Sequence, residues 1–221
     1  MKTALIIGSS GGIGSAIANE LRARRVAVTE LSRRDHGFDV TSETSIVNAL
    51  AGLEGPFDLV FVATGALEID GASPEKTLRS VSADAMLDQF VLNAVGPSLV
   101  LKHAIRLLPR KRRCVFAALS ARVGSIGDNR LGGWYSYRTA KAALNQMIHS
   151  VSIELARSHK ELICVALHPG TVATEFTRKY VDRHASVPPA VAATNLLGVL
   201  ETLTPEDTGK FFDWQGKKVP W

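Results

Sequence analysis

Six short apolar runs, alternating with five stretches of helical period, limit what this chain can fold into. They are Ala4 to Ile7, Val26 to Leu31, Leu59 to Ala63, Cys114 to Leu119, Leu162 to Leu167 and Lys210 to Phe212. Each is too short for a helix. The more continuous of them offer no polar face, so strands built from them must be covered on both sides, as in a parallel sheet with helices over each face. The helical candidates between them are Ile13 to Arg24, Ser42 to Leu53, Ser82 to Leu108, Tyr135 to Ser158 and Pro189 to Leu203, with Ser82 read as an N-cap and Pro189 near a first turn. No repeat, low-complexity tract or linker interrupts the order. The pattern predicts one doubly wound α/β domain over residues 1–221.

With 221 residues the chain is long enough to bury a large core without disulfide or metal. No apolar run approaches the roughly 20 residues that cross a bilayer, and the N-terminal apolar run ends at Ile7, so it reads as a first strand of a cytoplasmic protein and not as a leader. Cys114 and Cys164 lie inside apolar runs, where cysteine acts as a small hydrophobe, so no disulfide is expected. The histidines lack zinc-site spacing, and no metal is expected. The net charge of +5 includes Arg110, Lys111, Arg112 and Arg113. No aromatic platform or nucleic-acid motif accompanies them, so they read as a solvated turn.

Directly after the first strand comes Gly8-Ser9-Ser10-Gly11-Gly12-Ile13-Gly14, which opens the first helix. Glycines there allow positive φ and close backbone approach to a pyrophosphate, and the helix N-terminus adds free N–H donors and a positive dipole end. Strand, loop and helix in that order make a Rossmann-type dinucleotide site, with Gly8, Ser10, Gly12, Ile13 and Gly14 as contacts. After the second strand, NAD enzymes of this fold carry a carboxylate for the ribose 2′-hydroxyl. This chain has Ser32, Arg33 and Arg34, and a hydroxyl with a guanidinium suits a 2′-phosphate, so NADP is expected over NAD. Glu30, the competing carboxylate, lies within the strand.

Tyr137 and Lys141 stand at i and i+4 in Tyr-Ser-Tyr-Arg-Thr-Ala-Lys, so on a helix they share one face. A phenol with pKa near about 10 is a poor acid or base at neutral pH, and a neighbouring ammonium favours its ionised form. Asn93 lies four residues before Pro97, which has no N–H to donate, so the Asn93 carbonyl is left free to hold a water.

Together these motifs resemble the short-chain dehydrogenase/reductase superfamily over Met1 to Trp221. The loop resembles its Thr-Gly-x-x-x-Gly-x-Gly motif without the threonine. The resemblance implies Tyr137 as proton donor, Lys141 as the residue that lowers its pKa and binds the nicotinamide ribose, and Asn93 as anchor of a proton relay. Asp39 and Val40 resemble the adenine-contacting pair. Val62-Ala63-Thr64-Gly65 stands where the family has Asn-Asn-Ala-Gly, keeping Ala63 and Gly65 beside the cofactor. Pro169, Gly170, Thr171 and Thr174 resemble the Pro-Gly motif that fixes the nicotinamide carboxamide. The family's substrate-binding serine would fall at Ala121; Ser120, one residue earlier, is the expected substitute and Ser125 the alternative, because the loop to Tyr137 carries an insertion. Phe176 to Val187 is expected over the substrate, with an open pocket.

The C-terminal Gly-Lys-Phe-Phe-Asp-Trp and the Tyr137 region are similar to the C-factor-like subgroup. The expected activity is hydride transfer between NADP(H) and a carbonyl or secondary alcohol. The alternative is a nucleotide-binding signalling or regulatory protein with little turnover. The resemblance further implies a homodimer or homotetramer through the helices starting near Ser82 and Tyr135, a small-molecule substrate, and no nucleic-acid or membrane partner.

Overall fold

The computed structural model describes residues 1–178 and 185–221. All six apolar runs form strands: β1 (Thr3–Ile7), β2 (Ala27–Leu31), β3 (Leu59–Val62), β4 (Cys114–Leu119), β5 (Leu162–His168) and β6 (Phe211–Asp213). They make one parallel sheet in the order β2-β1-β3-β4-β5-β6. Its helices are α1 (Gly12–Ala23), α2 (Arg33–His36), α3 (Glu43–Ala51), α4 (Ala83–Phe90), α5 (Gly96–Ala104), α6 (Tyr135–Leu155) and α7 (Pro189–Thr202).

Alternation along the strands divides the core in two. Ile7, Val62, Phe116, Ala118 and Ala166 pack with Ile46, Leu101, Leu144 and Ile148 from α3, α5 and α6. Ile6, Phe61, Ala117, Leu119 and Leu167 pack with Ile17, Leu21, Ala193 and Leu196 from α1 and α7. Each of the larger aliphatic and aromatic side chains among them contributes about 1.5–3 kcal/mol by leaving water, and each alanine less. Cys114 and Cys164 are buried, unpaired thiols, and desolvation pushes them up to about 11 and about 12.

The Ser82 cap is present, its hydroxyl accepting from the Ala85 N–H at 3.2 Å. The single helix expected from Ser82 to Leu108 is not continuous. After α4 the backbone widens into a π turn over Val91–Val95, where the Gly96 N–H reaches the Val91 carbonyl, before α5 resumes through Pro97. Proline lacks an N–H and crowds the preceding turn, and widening by one residue relieves both; such turns recur at functional sites. Asn93 sits at its centre.

β1 is flanked by β2 on one side and β3 on the other, so the connections leave it in opposite directions. That switch point opens a crevice above the carboxyl ends of the strands.

Candidate functional site

Two adjoining cavities lie in the crevice. One, of about 330 Å³, is lined by Gly8, Ser10, Ser32, Arg33, Asp39 and Val40, among others. The second, of about 260 Å³, is lined by Ile13, Ser120, Tyr137, Lys141, His168 and Thr174, among others. Gly11, Ala63, Thr64 and Gly65 border both.

The glycine loop is held by close backbone packing. A Cβ on Gly14 would fall 2.3 Å from the Gly8 carbonyl oxygen, and one on Gly8, whose φ is +87°, would fall 2.9 Å from the Ala63 carbonyl carbon. Gly14 therefore serves the packing of the loop and lines neither cavity.

At the end of β2, Ser32 caps α2. Its oxygen accepts from the Asp35 N–H and its hydroxyl donates to the Asp35 carboxylate, at 3.2 and 3.0 Å. Arg34 pairs with Asp35 at 3.1 Å, whereas Arg33 has no ion-pair partner among the described residues. Asp39 accepts from the Thr41 N–H and hydroxyl, which holds its carboxyl below the usual range, and Val40 is buried against Gly96.

The end of the crevice that holds Tyr137 and Lys141 is built on α6. Left-handed Gly132, Gly133 and Trp134 turn the chain into this helix. Glu75 fixes the entry: its main-chain carbonyl accepts from the Trp134 N–H at 2.6 Å, and its carboxylate accepts from the Ser136 N–H at 3.2 Å and from the Ser136 hydroxyl. An anion at a helix N-terminus is favoured by the dipole.

Tyr137 is 5 % exposed, with the Trp134 and Phe176 rings each 6.4 Å from its own. Lys141 is 3 % exposed; its Nζ donates to the Leu119 carbonyl at 3.0 Å and lies 5.7 Å from the Tyr137 ring centroid. Burial pushes the phenol up and brings the ammonium down to about 7. Both shifts oppose charge and follow from desolvation.

Register separates the positions of the two candidate hydroxyls. The Ser120 N–H continues the ladder to the Leu167 carbonyl at 2.8 Å, so Ser120 still follows strand alternation and points, like Ala118, toward α6. There its hydroxyl donates to Asn145 Oδ1 at 2.7 Å. Asn145 is four residues after Lys141, on the same helix face. Ser125 is elsewhere: it is 1 % exposed and hydrogen-bonded to the Pro220 carbonyl at 2.5 Å, outside the cavity.

Asn93 is fully buried. Its amide nitrogen donates to the Ala66 carbonyl at 3.0 Å and to Gln89 Oε1 at 2.7 Å, which turns Oδ1 toward Gly65. A Cβ on Gly65 would meet this oxygen at 2.6 Å and Lys141 Nζ at 3.3 Å, so the three residues converge. The sequence pointed to the main-chain carbonyl of Asn93, and the structure adds the side-chain oxygen.

Pro169, Gly170 and Thr174 line the second cavity; Thr171 does not, and Val172 takes its place. Phe176 and Thr177 also line it, while residues 179–184 of the expected cover lie outside the described residues. Sequence reasoning passed over Thr64, Glu75, Gln89, Asn145 and His168. Only His168, immediately before the Pro-Gly pair, carried a signal that would have revealed it.

Among the described residues, three buried side-chain polar atoms have no hydrogen-bond partner: Thr64 Oγ1, Asn93 Oδ1 and His168 Nδ1. Such groups are rare and costly, about 1–3 kcal/mol each. Thr64 and His168 line the second cavity and Asn93 adjoins Gly65 on its border. These atoms and the close-packed glycine loop fit a polar, extended ligand such as a dinucleotide. No cluster of metal-ligating side chains occurs among the described residues, and no helix of theirs is long and apolar enough to cross a membrane.

A family model described as enoyl-(acyl carrier protein) reductase matches residues 8–212. The chain is 31 % identical over 236 aligned residues to 1-hydroxy-2-glutathionyl-2-methyl-3-butene dehydrogenase of Rhodococcus sp. strain AD45, with 100 % of both covered. It is 37 % identical over 139 residues to C-signal of Myxococcus xanthus, covering 62 % of this chain and 78 % of that protein. Among solved structures, a short-chain dehydrogenase/reductase of Burkholderia multivorans with bound NADP is similar at a TM-score of 0.81 and 27 % identity, with 100 % of this chain and 99 % of that one covered.

Proposed function

The chain belongs to the short-chain dehydrogenase/reductase family, and on that premise we propose that residues 1–221 act as one NADP-dependent oxidoreductase unit working on a carbonyl or secondary alcohol substrate. The observation that carries the proposal is the convergence of unpartnered Thr64, Asn93 and His168 atoms on the crevice that holds Tyr137 and Lys141.

Gly8, Ser10, Gly12 and Ile13 would hold the pyrophosphate, Arg33 the 2′-phosphate, and Pro169, Gly170 and Thr174 the nicotinamide end. When bound, NADPH supplies the hydride. Tyr137 donates a proton to the substrate oxygen, in a cavity whose burial keeps the phenol protonated until it is needed. Lys141 lies beside the Tyr137 ring and offers an N–H to the ribose. Ser120 orients the carbonyl by turning its hydroxyl from Asn145 to the substrate. Asn93 Oδ1 supplies the acceptor for a water that returns a proton through Lys141.

Free Arg33 supports NADP, since a guanidinium pairs with a phosphate through two parallel hydrogen bonds. Exposed Met86, Leu87 and Phe90 on α4, with Met147 and Ile153 on α6, support a homodimer or homotetramer. A cytoplasmic location accords with the absence of a membrane-spanning helix among the described residues.

Titration with NADPH and NADH, followed by a carbonyl panel with the tighter cofactor, tests the reading. NADPH is expected to bind more tightly and to support turnover; equal affinity would overturn the cofactor assignment. The likeness to C-signal favours a second reading, a nucleotide-binding regulatory protein. Tight NADPH binding without turnover on any carbonyl would favour it.

A further inference from the structure

Ser120 and His168 stand on neighbouring strand ends. β4 and β5 pair with Leu119 beside Leu167, and the ladder continues through the Ser120 N–H, so the next pair in register is Ser120 beside His168. Alternation sends both side chains toward α6, as it does Ala118 and Ala166 two residues earlier. Both line the cavity that also holds Tyr137.

Their hydrogen bonding differs. The Ser120 hydroxyl has Asn145, whereas His168 Nδ1 is buried without a partner. Burial, with the Arg122 guanidinium nearby and Asp213 opposing it, brings the imidazole down to about 4. At neutral pH the ring is therefore uncharged, with one N–H and one lone pair to offer.

We propose that His168 is a substrate-binding residue that hydrogen-bonds a second oxygen of the substrate and selects carbonyl compounds bearing a neighbouring hydroxyl or carbonyl group. The inference rests on the reductase reading above. Spacing carries the substrate class. Adjacent strands lie about 4.7–4.9 Å apart, so Ser120 and His168 can each take one oxygen of a 1,2- or 1,3-dioxygenated group, while a lone ketone satisfies only one. Charge carries the rest. An uncharged ring suits an uncharged oxygen, and much of the remaining wall is apolar, with Ile13, Leu119, Val172 and Phe176.

The test compares kcat/KM for 2,3-pentanedione and 2-pentanone at saturating NADPH in the wild type, His168→Ala and His168→Asn. Asparagine keeps a polar atom close to Nδ1. Binding of 2,3-pentanediol to the NADPH complex, followed by cofactor fluorescence, gives a readout without turnover. His168→Ala is expected to lower kcat/KM for the diketone about tenfold relative to the monoketone and to weaken diol binding comparably, with His168→Asn recovering most of both.

Equal loss on both substrates with weaker NADPH binding would place His168 on the nicotinamide carboxamide and overturn the proposal. Unchanged diol binding in His168→Ala would overturn it too. A wild type that binds NADPH yet reduces neither ketone would instead overturn the reductase reading, and diol binding would still decide the role of His168.

Discussion

At one end of the crevice Arg33 and Arg34 stand in solvent on a four-residue helix, while at the other Tyr137 and Lys141 are 5 % and 3 % exposed beneath aromatic rings. On the proposed reading, the first end would recognise the cofactor by charge and backbone donors, in a setting where salt screens and water competes. The second excludes water from Tyr137 and Lys141. There, desolvation shifts pKa values, and each polar atom either has a fixed partner, as Ser120 has Asn145, or has none, as with Asn93 Oδ1. Changes at the exposed end should alter which cofactor binds. Changes at the buried end should alter whether anything reacts.

Tyr137→Phe should produce the largest effect, a loss of about a thousandfold in kcat, the scale of a positioned proton donor. Binding of NADPH should hardly change, because the hydroxyl alone is removed from a ring packed against Trp134 and Phe176. Single-turnover kinetics beside fluorescence titration would check both halves. Retained activity would break the assignment of the buried end to chemistry.

Ser120→Ala should come next, with kcat lower by about a hundredfold, as when one aimed donor is removed from a reacting oxygen. Ser125→Ala supplies the contrast. Its hydroxyl is tied to the Pro220 carbonyl, so that variant should lower the melting temperature and leave kcat near its original value. The reverse outcome would move the substrate hydroxyl to Ser125.

The same division between the two ends decides what could be read from the chain. The apolar runs and the glycine loop follow from local pattern, and all six strands lie where the runs are, because continuous apolar sequence has few ways to be covered. Tyr137 and Lys141 share a helix face, so their pairing is local as well. Ser120 was ambiguous because its orientation depends on a cross-strand bond to Leu167 and on Asn145, neither of which is local to it. Glu75 acts on Ser136 across a separation of 61 residues, and no pattern marks it. The break in the helix after Ser82 depended on how the backbone accommodates Pro97, where kinking, ending and widening were all open.

Arg33→Ala addresses the exposed end. Preference for NADPH over NADH should fall about tenfold, a charge-assisted pair being partly offset by solvent screening. Because Arg34 remains beside it, discrimination should not vanish. The wild-type preference should itself shrink as salt is raised from 50 to 500 mM, over which the screening length falls to a few ångströms. A preference indifferent to salt would mean that the exposed end reads shape and not charge.

The smallest expected effect concerns stability and the buried end. In the unfolded chain His168 titrates at its ordinary value of about 6.5, whereas burial in the folded site, aided by the Arg122 guanidinium, holds it at about 4. Between these values the unfolded chain binds a proton that the folded protein refuses, so stability falls as pH drops through that window. At pH 5.5 the loss is about 1 kcal/mol. His168→Asn has no group that titrates there, so urea denaturation of wild type and variant at pH 7 and 5.5 isolates the effect. The wild type should lose about 1 kcal/mol more than the variant. Parallel losses would mean that the ring is hydrated in the folded protein, and the contrast between a solvated end and a dry one would then stop short of the end of β5.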